Sequence, residues 1–162
     1  MLSIRKAGIN DIPALRELVY QVWPQTYESI LPAEKIKYML ELMYSERSLQ
    51  QQMDDGARFI FVDDDNVPVG YASFQEVETG IFKLHKLYVL PSQQGKGTGR
   101  FMVDYIIEQA RLMGGHTLHL QVNRKNKARD FYERLGFTVT GEFDFDIGEG
   151  FVMDDYVMEK KL

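Results

Sequence analysis

None of the 162 residues is cysteine, and histidine (three), tryptophan (one) and proline (five) are sparse. The absence of cysteine excludes disulfides, a cysteine-ligated zinc site and any cysteinyl covalent intermediate. Long apolar runs are missing too. None approaches the roughly 20 residues needed to span a bilayer, and "MLSIRKAGIND" reads as a strand and helix cap, not a signal peptide. The expectation is a cytoplasmic protein with no membrane partner. Repeats, low-complexity stretches and Pro/Gly/Ser linkers are also lacking, so residues 1–162 are expected to form a single domain. At 44% hydrophobic and 27% charged, such a chain can bury a core without staples.

Basic charge is unevenly supplied. Residues 1–91 carry 9 basic and 13 acidic side chains, residues 92–134 carry 8 and 4, and residues 135–159 carry no Lys or Arg but seven acids. Those acids are Glu142, Asp144, Asp146, Glu149, Asp154, Asp155 and Glu159. A net +4 segment beside a −7 segment suits one surface for an anion and another for a cation. A pI of about 5.2 without a long basic face argues against a nucleic-acid partner.

Periodicity gives the organisation. "LSIRKA" is a first strand; Asn10 is a candidate N-cap for a helix whose Ile12, Leu15, Val19 and Val22 recur to Trp23. Pro32 opens a second helical stretch, and Ser45 can cap a shorter third one ending near Gly56. "RFIFV" and "VPVGYASFQEV" flank the turn-rich "DDDN" as a hairpin, and "IFKLHKLYVL" follows as a strand. A long helix after "QQGKGTG", a strand "TLHLQV", a helix "NKARDFYERL" and two closing strands complete the order β-α-α-β-β-β-α-β-α-β-β. The class is α/β (α+β mixed sheet), with helices covering the sheet. His116 and His119, three apart in a strand and on opposite faces, do not suggest a metal pair, and no metal is expected.

The segment Gln94-Gly95-Lys96-Gly97-Thr98-Gly99-Arg100 lies between a strand and a helix, where backbone N–H groups and a helix N-terminus converge as an anion site. Its three glycines leave room for close approach of a phosphate, and Lys96 and Arg100 add charge. A Walker A loop requires GxxxxGK[ST] and a Rossmann loop GxGxxG; neither spacing is present.

"HKLYVLPSQQGKGTGRFM", followed by "NKARDFYERLGF", resembles the GNAT superfamily of N-acetyltransferases. Residues Gln94–Gly99 match that superfamily's Q/R-x-x-G-x-G/A signature, and Ala128, Phe131, Tyr132, Gly136 and Phe137 match its second recurring segment. "YMLELMYS", "HKLYVLP" and "DFDIGEGFVMDDYVMEKKL" are similar to the bacterial subgroup that includes spermidine and spermine N-acetyltransferases. The resemblance implies a GNAT-like acyl-CoA N-acyltransferase fold and acetyl-CoA as cosubstrate. The acceptor it implies is a small cationic amine, with polyamine as the lead.

By that resemblance Gln94 to Arg100 hold the coenzyme pyrophosphate through backbone N–H groups. Leu87, Tyr88 and Val89 pair their main chain with the pantetheine arm, and Tyr132 serves the departing thiolate. Asn126 caps its helix and can reach the pantetheine or substrate, although the family's asparagine often falls at the position occupied by Lys125. The strand glutamate of some relatives corresponds to Lys83; His85, two residues on, can accept a proton through water. Tyr27 and Glu28 on the helical side, and Asp155 among the late acids, are the candidates for the amine. Without cysteine, direct attack in a ternary complex is the favoured route. Two other functions remain open: acetylation of a protein N-terminus or lysine, and a non-catalytic acyl-CoA sensor. The resemblance also brings a homodimer as its prior.

Overall fold

The computed structural model describes residues 1–162. Seven strands form a mixed sheet in the order β1-β2-β3-β4-β5-β7-β6, accompanied by five α-helices. The elements are β1 (Leu2–Ala7), α1 (Ile12–Tyr27), α2 (Ala33–Tyr44), α3 (Glu46–Asp54), β2 (Arg58–Asp64), β3 (Val67–Glu78), β4 (Ile81–Val89), α4 (Thr98–Leu112), β5 (Thr117–Asn123), α5 (Ala128–Arg134), β6 (Thr138–Gly148) and β7 (Phe151–Lys161). The mixed α/β class follows the sequence expectation. The third helical stretch expected after Ser45 forms, and Ser45 caps it by accepting from the Ser48 N–H, so three helices, and not the two of the order β-α-α-β, precede β2. No helix is long and apolar enough to cross a membrane.

Two compact units make up the chain, residues 1–75 with 86–106 and residues 76–85 with 107–162. In the first, β1 and β3 flank β2 antiparallel. The β2–β3 turn has positive φ at Asp65 (49°) and Asn66 (69°), as a two-residue hairpin twisted to match its strands requires. Helix α1 buries Leu15, Val19, Val22 and Trp23 at helical spacing. Two expectations change here. The N-cap position of α1 is Asp11 and not Asn10; Asn10 lies in a short 3-10 turn over Ile9–Asp11, whose start is closed by the Asp11 carboxylate accepting the Gly8 N–H. The helix also runs past Trp23 through Pro24, because Trp23 and Tyr27 on either side of that proline are both anchored in the core.

In the second unit β4 pairs parallel with β5 (Lys83 opposite His119), and β7 lies antiparallel between β5 and β6. Alternation sorts the strands: Phe82, Leu84, Leu118, Leu120, Val122 and Met158 are buried on one face, while Lys83, His119, Gln121 and Glu159 share the other. His116 precedes β5 and is not in the strand, so it has no strand face to share or oppose with His119. Its ring sits where a Cβ on Gly80 would fall.

Candidate functional site

In the first unit the chain leaves β4 at Val89, makes a short 3-10 turn over Pro91–Gln93, and enters α4 at Thr98. Gln94, Gly95, Lys96 and Gly97 between them are exposed. Gly95 and Gly97 hold φ of 80° and 79°, and a Cβ at either would meet nothing within 4 Å. These glycines therefore serve backbone conformation over open space and not tight packing. The first α4 N–H to find a backbone acceptor is that of Phe101, which donates to the Gly97 carbonyl at 3.0 Å. The N–H groups of Thr98, Gly99 and Arg100 are left at the positive end of a 15-residue helix, a setting suited to an anion. Lys96 and Arg100 flank it as exposed cations.

The base of this loop is tied down. The buried Thr98 hydroxyl donates to Gln93 Oε1 at 2.9 Å, and Gln93 Nε2 donates to Asp64 Oδ2 at 3.3 Å.

Ahead of the loop, Leu87, Tyr88 and Val89 end β4. The Tyr88 carbonyl stands 2.7 Å from where a Cβ on Gly70 would lie, so glycine there lets the two backbones approach. The Tyr88 side chain is committed to an aromatic cluster: its hydroxyl meets that of Tyr27 at 2.8 Å, and its ring lies 5.7 Å from Trp23 and 5.4 Å from Tyr71. Trp23 Nε1 donates to Tyr71 (3.0 Å) and Tyr44 (3.3 Å), and Tyr71 donates to Tyr44 at 2.9 Å. Burial pushes the phenols of Tyr44, Tyr71 and Tyr88 above the usual tyrosine range, so all three are neutral at physiological pH. With its side chain so engaged, Tyr88 has its main chain to offer a ligand. Beside this cluster the buried Lys86 ammonium donates to Gln52 at 2.7 Å and lies over the rings of Tyr44 and Phe59. Glu28 is exposed at the end of α1.

In the second unit Tyr132 is the buried residue of α5, its ring against Phe131 (5.0 Å) and Phe137 (5.5 Å), and its carbonyl accepts the Phe137 N–H. Asn126 Oδ1 accepts the Ala128 N–H at 2.9 Å, the capping part of its expected role. Arg124 pairs with Asp144 at 3.1 Å, and the Arg129 guanidinium covers Tyr156 at 4.5 Å while bonding Glu133.

The polar face of the same unit carries a chain of side chains. Lys83 Nζ donates to Gln121 Oε1 at 2.7 Å, and Gln121 Nε2 donates to Asp155 Oδ2 at 3.4 Å. Burial pulls the Lys83 ammonium below the usual lysine range, with Asp155 acting in the opposite sense. Burial and the Lys83 cation pull His119 below the usual histidine range against Glu159 and Glu78. Among the seven late acids only Asp155 is buried; Asp154 and Glu159 are half-buried, and Glu142, Asp144, Asp146 and Glu149 are exposed. His85 is half-buried on β4, two residues from Lys83. No group of three or more His, Asp or Glu side chains is placed to hold a metal ion.

Several residues of these arrangements carried no local signal in the sequence. Gln93 and Asp64 lie 29 residues apart, with β3 and β4 between them, and meet only in the fold. Tyr71 and Tyr44 resemble any other core aromatics until their hydroxyls meet.

The acetyltransferase (GNAT) domain family matches residues 28–159. The spermidine N(1)-acetyltransferase of Thermoplasma acidophilum is 27% identical over 169 residues, covering 99% of this chain and 97% of its own. The L-methionine sulfoximine/L-methionine sulfone acetyltransferase of Salmonella typhimurium is 36% identical over 89 residues, 51% of this chain and 52% of its own. A solved structure, the PaiA N-acetyltransferase of T. acidophilum in complex with coenzyme A, superposes with a TM-score of 0.84 at 25% identity and covers 100% of this chain and 99% of that one.

Proposed function

The chain belongs to the GNAT acetyltransferase family, and from that premise we propose that it moves the acetyl group of acetyl-CoA to the primary amine of a small cationic substrate, with a polyamine as the leading candidate. Acetyl-CoA-dependent N-acetyltransferase activity is the part common to the family. The observation that carries the proposal is the glycine loop between β4 and α4: two positive-φ glycines over open space, three helix N-terminal N–H groups without intrahelical acceptors, and two flanking cations. Those residues fit a pyrophosphate. The family match spans both compact units, which supports treating residues 1–162 as one acetyltransferase domain.

Bound acetyl-CoA supplies a thioester acyl group. The chain's own residues do the rest. Gln94 to Arg100 hold the phosphates by main-chain N–H groups. The main chain of Leu87, Tyr88 and Val89 aligns the pantetheine arm and polarises the acyl carbonyl, with Asn126 as a further contact. Tyr132 presents its hydroxyl to the departing sulfur. A free phenol (pKa about 10) is a weaker acid than a thiol (about 8.5), so a hydrogen bond that steadies the thiolate suffices in place of full transfer. His85 takes a proton from the bound substrate ammonium through water, leaving the neutral amine whose nitrogen lone pair attacks the thioester carbonyl. Tyr27, Glu28 and Asp155 serve the amine, in keeping with an acceptor that is a cation.

Support for a polyamine is the full-length likeness to the spermidine enzyme together with the acid-rich segment after residue 134. The test is release of free CoA from acetyl-CoA with spermidine, spermine, L-amino acids, methionine sulfone, aminoglycosides and peptides with free N-termini. Turnover concentrated on spermidine and spermine is the expected result. Turnover only with amino acids or peptides overturns the substrate class and leaves the reaction standing. Coenzyme binding without turnover on any amine favours a sensor.

A further inference from the structure

Four exposed residues, Gln94 to Gly97, form the loop between Gln93 and Thr98. A loop this exposed has few interactions to fix its shape, and binding an anion to a loose loop carries an ordering cost. The side chains at its two ends meet. Thr98 Oγ1 donates to Gln93 Oε1 at 2.9 Å, closing the base of the loop, and both residues are buried (1% and 7% exposed). The backbone repeats the closure, with the Lys96 N–H donating to the Gln93 carbonyl at 3.3 Å.

What sets the orientation of the Gln93 amide lies elsewhere. Asp64, at the end of β2, is an acceptor only; its Oδ2 takes Gln93 Nε2 at 3.3 Å while its Oδ1 takes the Met1 ammonium at 3.2 Å. With Nε2 turned to the carboxylate, Oε1 must face Thr98, so the threonine hydroxyl donates inward. Its N–H is left as the group available to an anion. The glycine signature matched in the sequence begins at Gln94, and the resemblance assigns no part to Gln93 or Asp64.

We propose that Gln93, oriented by Asp64, is a positioning residue for the coenzyme: it clasps the base of the glycine loop and preorganises the N–H groups of Thr98, Gly99 and Arg100. This rests on the assignment of that loop to coenzyme A. Gln93 does not touch the acyl group, so its loss acts on coenzyme affinity and not on the chemical step. Leaving a buried hydroxyl unmatched and the loop unclasped weakens coenzyme binding by about tenfold.

The experiment is calorimetric titration of coenzyme A into wild type, Gln93→Met, Asp64→Leu and Asp64→Asn, with KM for acetyl-CoA, kcat and Tm measured alongside. Gln93→Met is expected to raise Kd and KM about tenfold with kcat at saturation changed by less than about twofold. Asp64→Leu is expected to raise them by about threefold. Asp64→Asn, which keeps an oxygen toward Gln93, is expected to restore near-wild-type affinity. Equal Kd in wild type, Gln93→Met and Asp64→Leu overturns the inference while the coenzyme loop stands. A loss confined to Tm, or a fall in kcat with KM unchanged, overturns it as well. A wild-type protein that binds no coenzyme A fails the proposed function itself, and is thereby a distinguishable result.

Discussion

Three glycines in the loop look equivalent in the sequence, and the structure separates them. Gly97 holds φ of 79° with nothing within 4 Å of a would-be Cβ, so alanine there meets no clash and suffers only the left-handed backbone penalty, about 1–2 kcal/mol. The segment is exposed and lies outside any regular element, so it can relax locally and the penalty falls on the ligand-competent loop. Since 1.4 kcal/mol is tenfold in affinity, Gly97→Ala should weaken coenzyme A binding about 5- to 30-fold, with Tm lowered by no more than about 2 °C. Gly99 lies within α4 and is not among the positive-φ residues, so alanine there carries no such penalty and gains helix propensity. Any affinity lost in Gly99→Ala must then come from a methyl group crowding the anion. The assay is calorimetric titration of coenzyme A into wild type and both variants, with thermal unfolding recorded in parallel. An unchanged Kd for Gly97→Ala would refute the claim that the positive-φ loop is the form that binds.

Further outcomes follow from the same geometry. Tyr132→Phe should lower kcat by about 100-fold or more with KM for acetyl-CoA little changed; an undiminished kcat removes the role of its hydroxyl at the leaving sulfur. Tyr71→Phe deletes the acceptor of Trp23 and the donor to Tyr44 in a fully buried cluster, which at about 1–3 kcal/mol should lower Tm by about 2–10 °C; a Tm within 1 °C or so of wild type would show the network idle. Lys83 binds a proton less readily folded than unfolded, so its charged form costs stability below the depressed pKa, and that cost fades as pH rises toward 10.5. Urea unfolding should therefore show wild type gaining on Lys83→Met as pH rises toward 10.5, and parallel pH dependences would contradict the burial. The same substitution removes a cation that lowers His119, so the His119 ring, followed by NMR, should titrate at higher pH than in wild type.

The features legible in the sequence were those written over short spans. The hairpin announced itself in "DDDN" between two alternating runs, and its tip is where Asp65 and Asn66 take positive φ. The glycine loop was visible because its punctuation falls between an apolar strand and an amphipathic helix. Helix ends were harder. The apolar periodicity reaches only to Trp23, yet α1 continues through Pro24 because the burial of Trp23 and Tyr27 outweighs one lost backbone bond. Long-range polar geometry was not legible at all. Lys83, Gln121 and Asp155 lie on three different strands and meet only through the β4–β5 and β5–β7 registers. The charge gradient, too, gained detail: of seven late acids most face solvent, and Asp155 alone is buried.

The claim at the centre of this account is acetyl transfer from coenzyme to amine within one complex, in a chain with no cysteine to carry an acyl group. Initial rates of CoA release, with acetyl-CoA and the accepted amine both varied, test it most directly. Intersecting double-reciprocal lines, with no mass increase on the protein after incubation with acetyl-CoA alone, are the predicted result. Parallel lines accompanied by a protein heavier by one acetyl group that passes it to the amine would contradict it.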